Sequence, residues 1–290
     1  MAPIGELLAR GRSISIELWP PRTPEAGRRL SESLPRLYEL RPTFASITYG
    51  AAGSTRERTH ELVVEIHNQG RTEAMAHLSC LSHTRAELES ILVSYHQAGI
   101  ENVLALMGDP PLHSNGELSQ GELRHAIDLV ELAKQTAPFC VAVAAHPEGH
   151  PASPDLESDR RYLAEKLAVA DFAITQFFFD VDDYVKLVED LADLGITKPV
   201  IPGIMPITNV RTVAKMAELS GAAIPPDVVD RIDRVADDPE SVRAVGIEIA
   251  TELCDTLESL GVPGFHFYTM NQVSATVAVC ENLDLVPRSA

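Results

Sequence analysis

The chain has 290 residues, 45% of them hydrophobic, and a formal charge of -18. This is enough apolar material for a large core, and the charge excludes a nucleic-acid or anionic-membrane surface, which would need clustered Lys and Arg. Four widely spaced cysteines, Cys80, Cys140, Cys254 and Cys280, contain no C-x-x-C pair, so they indicate free thiols in a reducing cytoplasm rather than a zinc ribbon or a disulfide framework.

Short apolar runs alternate with longer amphipathic segments along the whole chain. The first strand is expected over 13–18, Ser-Ile-Ser-Ile-Glu-Leu, where Ile14, Ile16 and Leu18 share one face and Ser13, Ser15 and Glu17 the other. Thr23 before Pro24 marks the start of the first long helix. Strands follow at 44–49 and 73–78 with a helix at 56–69 between them, and Thr84-Arg85-Ala86-Glu87 is a capping box opening the next helix. Strands at 102–106, 140–145, 172–177, 199–203 and 264–268 alternate with helices at 119–135, 157–169, 181–193 and 209–219, about two helices in 225–260, and a last one at 272–283. Eight strands joined by helical crossovers predict an α/β fold, a (βα)8 TIM barrel with an extra helix before the last strand. It is expected to occupy 1–290 as one catalytic domain, the fold typically needing about 250 residues.

The N-terminal residues Met1 to Glu6 lack a basic region followed by an apolar stretch, and no apolar run approaches the roughly 18 residues of a membrane span. A cytoplasmic protein without a membrane or nucleic-acid partner is expected. The surface helices give no clear apolar seam, which leaves the oligomeric state open.

In such a barrel, binding and catalysis sit at the C-terminal ends of the strands. The polar residues at or just beyond those ends are Glu17, Thr48, Tyr49, His77, Asp109, His146, Thr175, Gln176 and Tyr268. For any one alone, capping a neighbouring helix or bonding backbone is the commoner use. His146-Pro147-Glu148-Gly149-His150 carries metal-ligating side chains, but the i,i+4 spacing of zinc proteases requires a helix, which Pro147, Gly149 and Pro151 forbid. No metal is expected. A G-x-G-x-x-G turn, a P-loop and a G-x-S-x-G elbow are all absent from the sequence.

The motifs resemble those of the methylenetetrahydrofolate reductases nearly end to end. Glu17-Leu18-Trp19-Pro20-Pro21 is similar to the family's E-F-F-P-P. It is followed by Thr48-Tyr49-Gly50, Gly53-Ser54-Thr55-Arg56, Ala76-His77-Leu78 and Gly108-Asp109-Pro110-Pro111. Ile174-Thr175-Gln176-Phe177-Phe178-Phe179-Asp180, Ile201-Pro202-Gly203-Ile204-Met205-Pro206 and Phe265-His266-Phe267-Tyr268-Thr269-Met270-Asn271 complete the series. The resemblance covers the catalytic barrel and not the C-terminal regulatory domain of the eukaryotic members. It implies reduction of 5,10-methylenetetrahydrofolate to 5-methyltetrahydrofolate, with Glu17 as proton donor and Asp109 as the carboxylate facing the pterin. It further implies that Gln176 binds the same ring, with Tyr268 and Thr175 finishing the folate pocket. Thr48, Tyr49, His77, Gly108, His146, Asp159 and Lys166 fall on the cofactor side. A carboxyl group among Ile16, Leu18 and Trp19 is expected to have its pKa raised by desolvation, as a general acid needs.

The chain departs from the family pattern on that cofactor side. Leu106-Met107-Gly108-Asp109 stands where flavin-dependent members read L-R-G-D, and Met107 makes no charge-assisted bond. His146 replaces a tyrosine. The helix that supplies Asp, Asn and Lys to the flavin reads Asp159, Tyr162 and Lys166, His125 replaces a tyrosine, and Gln272 replaces an arginine. The pattern argues against bound FAD and for direct hydride transfer from NADH, with NADPH as the other donor. The alternatives are the same reaction through an FAD relay, a related methylene-pterin reductase with a deazaflavin donor, and a folate-binding barrel without catalysis.

Overall fold

In a computed structural model, which describes residues 2–50, 56–108 and 121–285, eight parallel strands close into a barrel in the order β1 to β8. They are β1 Ser13–Leu18, β2 Phe44–Ile47, β3 Glu73–Ser79, β4 Asn102–Leu106, β5 Cys140–Ala145, β6 Phe172–Phe177, β7 Val200–Ile204 and β8 Gly264–Tyr268. The helices are α1 Ile4–Leu8, α2 Pro24–Glu39, α3 Arg56–Gln69, α4 Arg85–Gln97, α5 Ala126–Thr136, α6 Leu156–Val169 and α7 Val181–Asp193. They continue with α8 Val210–Ser220, α9 Pro226–Asp233, α10 Pro239–Ser259 and α11 Val273–Asn282. The (βα)8 barrel expected from the alternation is therefore present, and α9 and α10 are the additional helices before β8.

The local signals act as their chemistry requires. The Thr23 hydroxyl accepts from the Ala26 amide, and Thr84 and Glu87 form the reciprocal capping box. Several expected boundaries move, most by a single residue. The second strand ends at Ile47 rather than residue 49, and the Thr48 carbonyl accepts the Thr59 hydroxyl of α3. The helix expected from residue 119 begins at Ala126, because the Asp128 carboxylate accepts the amides of Arg124 and His125 and so fixes the first turn there. The seventh strand is offset by one residue, to Val200–Ile204.

Alternation sorts the side chains into two layers. Ile16, Leu18, Ala45, Ile47, Ala76, Leu78, Val103, Val141, Val143, Phe265 and Phe267 join the apolar layer between the strands and the surrounding helices. Phe44, Met75, Leu104, Cys140, Ala142, Phe172, Ile174 and Ile201 fill the lower lumen. α1, too short to announce itself by periodicity, plugs that end with Ile4 and Leu8. Its first amides are held from the barrel: Ile4 N–H donates to Asn102 Oδ1 (2.8 Å) and Ala2 N–H to Glu73 Oε1 (2.9 Å). Cys80, Cys140, Cys254 and Cys280 are buried and free. Among the described residues no helix is long and apolar enough to cross a membrane.

Between β6 and β7 the ladder is irregular from Ile174 to Phe177. Pro202 brings no N–H to this strand, and the neighbouring Gly203 amide donates to the Thr175 hydroxyl (2.8 Å) instead of a backbone carbonyl.

Replacing Asn102 by Ala removes the acceptor under the plug and leaves the buried Ile4 amide unpaired. Denaturant unfolding of Asn102→Ala is expected to show a loss of about 1–3 kcal/mol, with turnover of the folded protein unchanged, since the plug lies at the end of the barrel away from the strand C-termini.

Candidate active site

Glu17 lies on the inward face of β1, beside Tyr268 of β8 and Ser46 of β2 in the strand register. It is 8% exposed. Ile16 and Leu18, its sequence neighbours, belong to the outer layer, so the surroundings expected from adjacency are corrected: strand alternation sends those two side chains to the opposite face. What lies near the carboxylate is Trp19, whose indole N–H donates to Oε1 (2.9 Å), and His77 of β3, whose Nε2 is 3.9 Å from Oε2. Among the described residues no Lys or Arg pairs with it. Desolvation by burial, only partly offset by the Trp19 hydrogen bond, pushes the Glu17 pKa from 4.5 up to about 7.

The acid is held at the seam where the barrel closes. Thr269 Oγ1 donates to the Glu17 carbonyl (2.7 Å). Asn271 grips Trp19 from both sides, its Oδ1 accepting the Trp19 amide and its Nδ2 donating to the Trp19 carbonyl, both at 2.9 Å. Met270 and Asn271 take left-handed backbone conformations, with φ of 46° and 59°, which brings the Asn271 side chain across to the β1 loop.

Two histidines occupy the lumen below the mouth. His266 is satisfied, with Nδ1 2.8 Å from Ser15 Oγ and Nε2 3.4 Å from Ser46 Oγ. Nε2 of His77 is buried without a hydrogen-bond partner among the described residues. Burial pulls both imidazoles down to about 3, so both are neutral at physiological pH. Gln176 turns its Oε1 to the Phe177 amide (3.0 Å), leaving its amide N–H groups for other partners. The Tyr268 hydroxyl donates to the Thr175 carbonyl (2.7 Å), a reach across β7 that needs Gly203: a Cβ there would lie 2.6 Å from the Tyr268 ring and 2.3 Å from the Thr175 carbonyl oxygen. Thr175 itself is fully buried and its hydroxyl is engaged by Gly203. It shapes the pocket through its backbone rather than presenting a side chain to it.

On the opposite side of the mouth, Tyr49 hydrogen-bonds His83 Nε2 (2.9 Å), and burial pushes its phenol up to about 12. Gly108 has φ of 91°, and a Cβ there would lie 1.9 Å from Ser79 Oγ, so only glycine fits this turn. Asp109 lies outside the described residues. His146 packs edge-on against His150 (4.6 Å between centroids), with its pKa lowered by burial to about 4. Asp159 is committed to structure, since its Oδ1 accepts the His150 amide and the Ser153 hydroxyl and its Oδ2 meets Arg160. Lys166 donates to the Ala144 carbonyl (3.0 Å), and burial lowers its pKa.

Residues 5–284 match the model of the methylenetetrahydrofolate reductase family. The chain belongs to this family. It is 38% identical over 277 residues to the 5,10-methylenetetrahydrofolate reductase of Escherichia coli, covering 95% of this chain and 92% of that one. It is 36% identical over 291 residues to the Arabidopsis thaliana protein named methylenetetrahydrofolate reductase (NADH) 1, covering 96% of this chain and 49% of that one. Among solved structures, the barrel superposes with a TM-score of 0.66 on a Clostridium thermocellum protein described as binding two copies of 5-methyl-5,6,7,8-tetrahydrofolic acid. The identity is 15%, and the match covers 97% of this chain and 99% of that chain.

As a member of the methylenetetrahydrofolate reductase family the chain is an oxidoreductase. Its structure gathers Glu17, His77, Gln176 and Tyr268 on strands at one mouth of the barrel, and keeps Asp159 and Lys166 in the packing of α6 against β5 and its loop. Four participants were not expected from the sequence: Trp19 as donor to the acid, Asn271 as its clamp, His83 as partner of Tyr49, and Arg160, which donates to the carbonyls of His146 and Pro147. For Trp19 the signal was present, a ring N–H two residues beyond the carboxylate.

The raised pKa of Glu17 links stability to pH. The unfolded chain releases this proton near 4.5 whereas the folded protein holds it until about 7, so stability falls as pH rises through that window and stays lower above it. Thermal unfolding across pH 4 to 8 is expected to show this slope in the parent and to lose it in Glu17→Gln, leaving the variant more stable above pH 7 by an amount on the order of a few kcal/mol.

Proposed function

We propose that this protein reduces 5,10-methylenetetrahydrofolate to 5-methyltetrahydrofolate, with Glu17 as the proton donor and NADH passing hydride directly to the folate. The observation that carries the role of Glu17 is a buried carboxyl group with no cationic partner among the described residues, poised near pH 7. A group so poised is protonated often enough to act as an acid and gives up its proton readily.

Protonation of the folate at N10 breaks the bond between N10 and the bridging methylene carbon, and the electron pair of N5 forms a cationic iminium with that carbon. Hydride from the dihydronicotinamide adds to the same carbon, giving the 5-methyl group and the oxidised nicotinamide, and the Glu17 carboxylate is reprotonated from solvent. The neutral imidazole of His77 adds no positive charge beside a developing cation. Asp109 is assigned the carboxylate facing the pterin on the strength of its motif, and Gln176 offers the ring a donor from an amide whose oxygen is already satisfied. Tyr268, fixed by the Thr175 carbonyl, closes the same side.

Direct transfer is favoured by the fit of the cofactor side. A flavin diphosphate calls for cations or free N–H donors, yet Met107 is neutral and 43% exposed, Asp159 is bonded within its own loop and to Arg160, and Lys166 is turned to a backbone carbonyl. These residues fit FAD poorly. NADH as the donor agrees with the names of the plant relatives.

Two measurements test this. Glu17→Gln is expected to lower kcat by about 100-fold or more, as removal of a general acid does, with the KM for folate changed far less. Turnover at the parent rate would remove Glu17 from the mechanism. An absorbance scan near 450 nm with an NADH oxidation assay is expected to give turnover by colourless protein, and a stoichiometric flavin required for activity would establish the relay instead.

A further inference from the structure

Trp19 is the sole tryptophan of the chain, and its ring nitrogen is aimed at the acid. We propose that Trp19 is a positioning residue that decides which oxygen of Glu17 carries the proton. The inference rests on Glu17 being the acid. The indole N–H is a donor only, and it approaches Glu17 Oε1 at 2.9 Å. When the carboxyl group is protonated, Oε1 must therefore be the accepting, carbonyl-like oxygen. The proton is then confined to Oε2, the oxygen that faces His77 Nε2 at 3.9 Å. Without the indole the two oxygens would be free to exchange roles by rotation of the carboxyl group.

The donor is itself immobilised. The Trp19 backbone is clamped at both N–H and C=O by Asn271, and Asn271 N–H is in turn held by the Thr269 hydroxyl (3.1 Å), which also donates to the Glu17 carbonyl. Acid, indole and clamp thus form one closed hydrogen-bonded unit across the β1–β8 seam. A phenylalanine at position 19 would preserve the ring packing and abolish the only direct side-chain hydrogen bond that Glu17 makes among the described residues.

The hydrogen bond also acts on acidity. It favours the carboxylate and opposes the desolvation that raises the Glu17 pKa. The other titratable groups facing Glu17 among the described residues hold one state between pH 5 and 9. His77 of β3 and His266 of β8 titrate at about 3, and Tyr268 of β8 is raised above its ordinary 10. From β2, β4 and β6 the inward positions are Ser46, Leu104 and Gln176, none of which titrates in this range.

Trp19→Phe is expected to lower kcat by about tenfold with little change in KM, the effect of one lost charge-assisted hydrogen bond. It should also move the alkaline limb of the kcat profile upward by about one pH unit, because the carboxylate loses its stabilising donor. Trp19→His places a ring N–H at the same position of the five-membered ring and should recover part of both effects, which distinguishes the hydrogen bond from packing. A readout independent of turnover is the emission of Trp19 itself. It should titrate with a midpoint near that of Glu17 in the parent and stay flat from pH 5 to 9 in Glu17→Gln. An unchanged pH limb in Trp19→Phe, or an emission titration that persists in Glu17→Gln, overturns the proposal. Parent-rate turnover in Glu17→Gln overturns instead the role of Glu17 as acid, even where the emission titration is lost as expected.

Discussion

A closed parallel barrel has to bring its last strand against its first, and in this protein the candidate active site is built on that closure. At the bottom of the seam Gly264 comes so near to Ser13 that a Cβ would lie 2.2 Å from the Ser13 carbonyl oxygen, and the register then runs up through Ser15 and His266 to Glu17 and Tyr268. At the top, Thr269 and Asn271 bind the backbone of Glu17 and Trp19. The carboxylate is therefore oriented by strand pairing below and by a side-chain clamp between the β1 and β8 loops above.

The lumen changes character along its length. Its lower half is an apolar layer capped by α1, in which burial stabilises without leaving polar groups unsatisfied. Toward the mouth the same inward positions carry Ser15, Ser46, His77, His266 and Glu17, all buried. The two serines satisfy His266, whereas His77 Nε2 has no partner among the described residues and Glu17 keeps its proton up to about 7. Such groups are costly to desolvate and add no packing that an apolar side chain could not provide. Their concentration at the strand C-termini, above an apolar floor, is what a site held apart from the stabilising core requires.

Much of the fold was legible because each element carries its own signal. Alternation in β1, the Thr23 and Thr84 caps, and prolines at helix starts act over a few residues, and the eight strands lie within a residue or two of where those signals put them. Elements without a local signal were missed or misplaced. α1 is a five-residue plug, and α5 starts where Asp128 caps it rather than where the apolar pattern begins. The β6–β7 irregularity, in which a threonine hydroxyl replaces a ladder acceptor, depends on a proline in the partner strand.

The sequence by itself determined the barrel, the family and the inward face of Glu17, because strand parity and motif order survive without any knowledge of contacts. Apart from Trp19, which the sequence already put beside it, tertiary structure decided what surrounds that carboxylate. Its flanking residues Ile16 and Leu18 point away, while Trp19, His77 and Tyr268 converge from three places in the chain, and Asp159 and Thr175 are taken up by bonds to groups a few residues or a whole strand distant. Proton affinity, orientation and free hydrogen-bonding capacity are properties of such converging neighbours, and the chain brings them together only when β8 closes on β1.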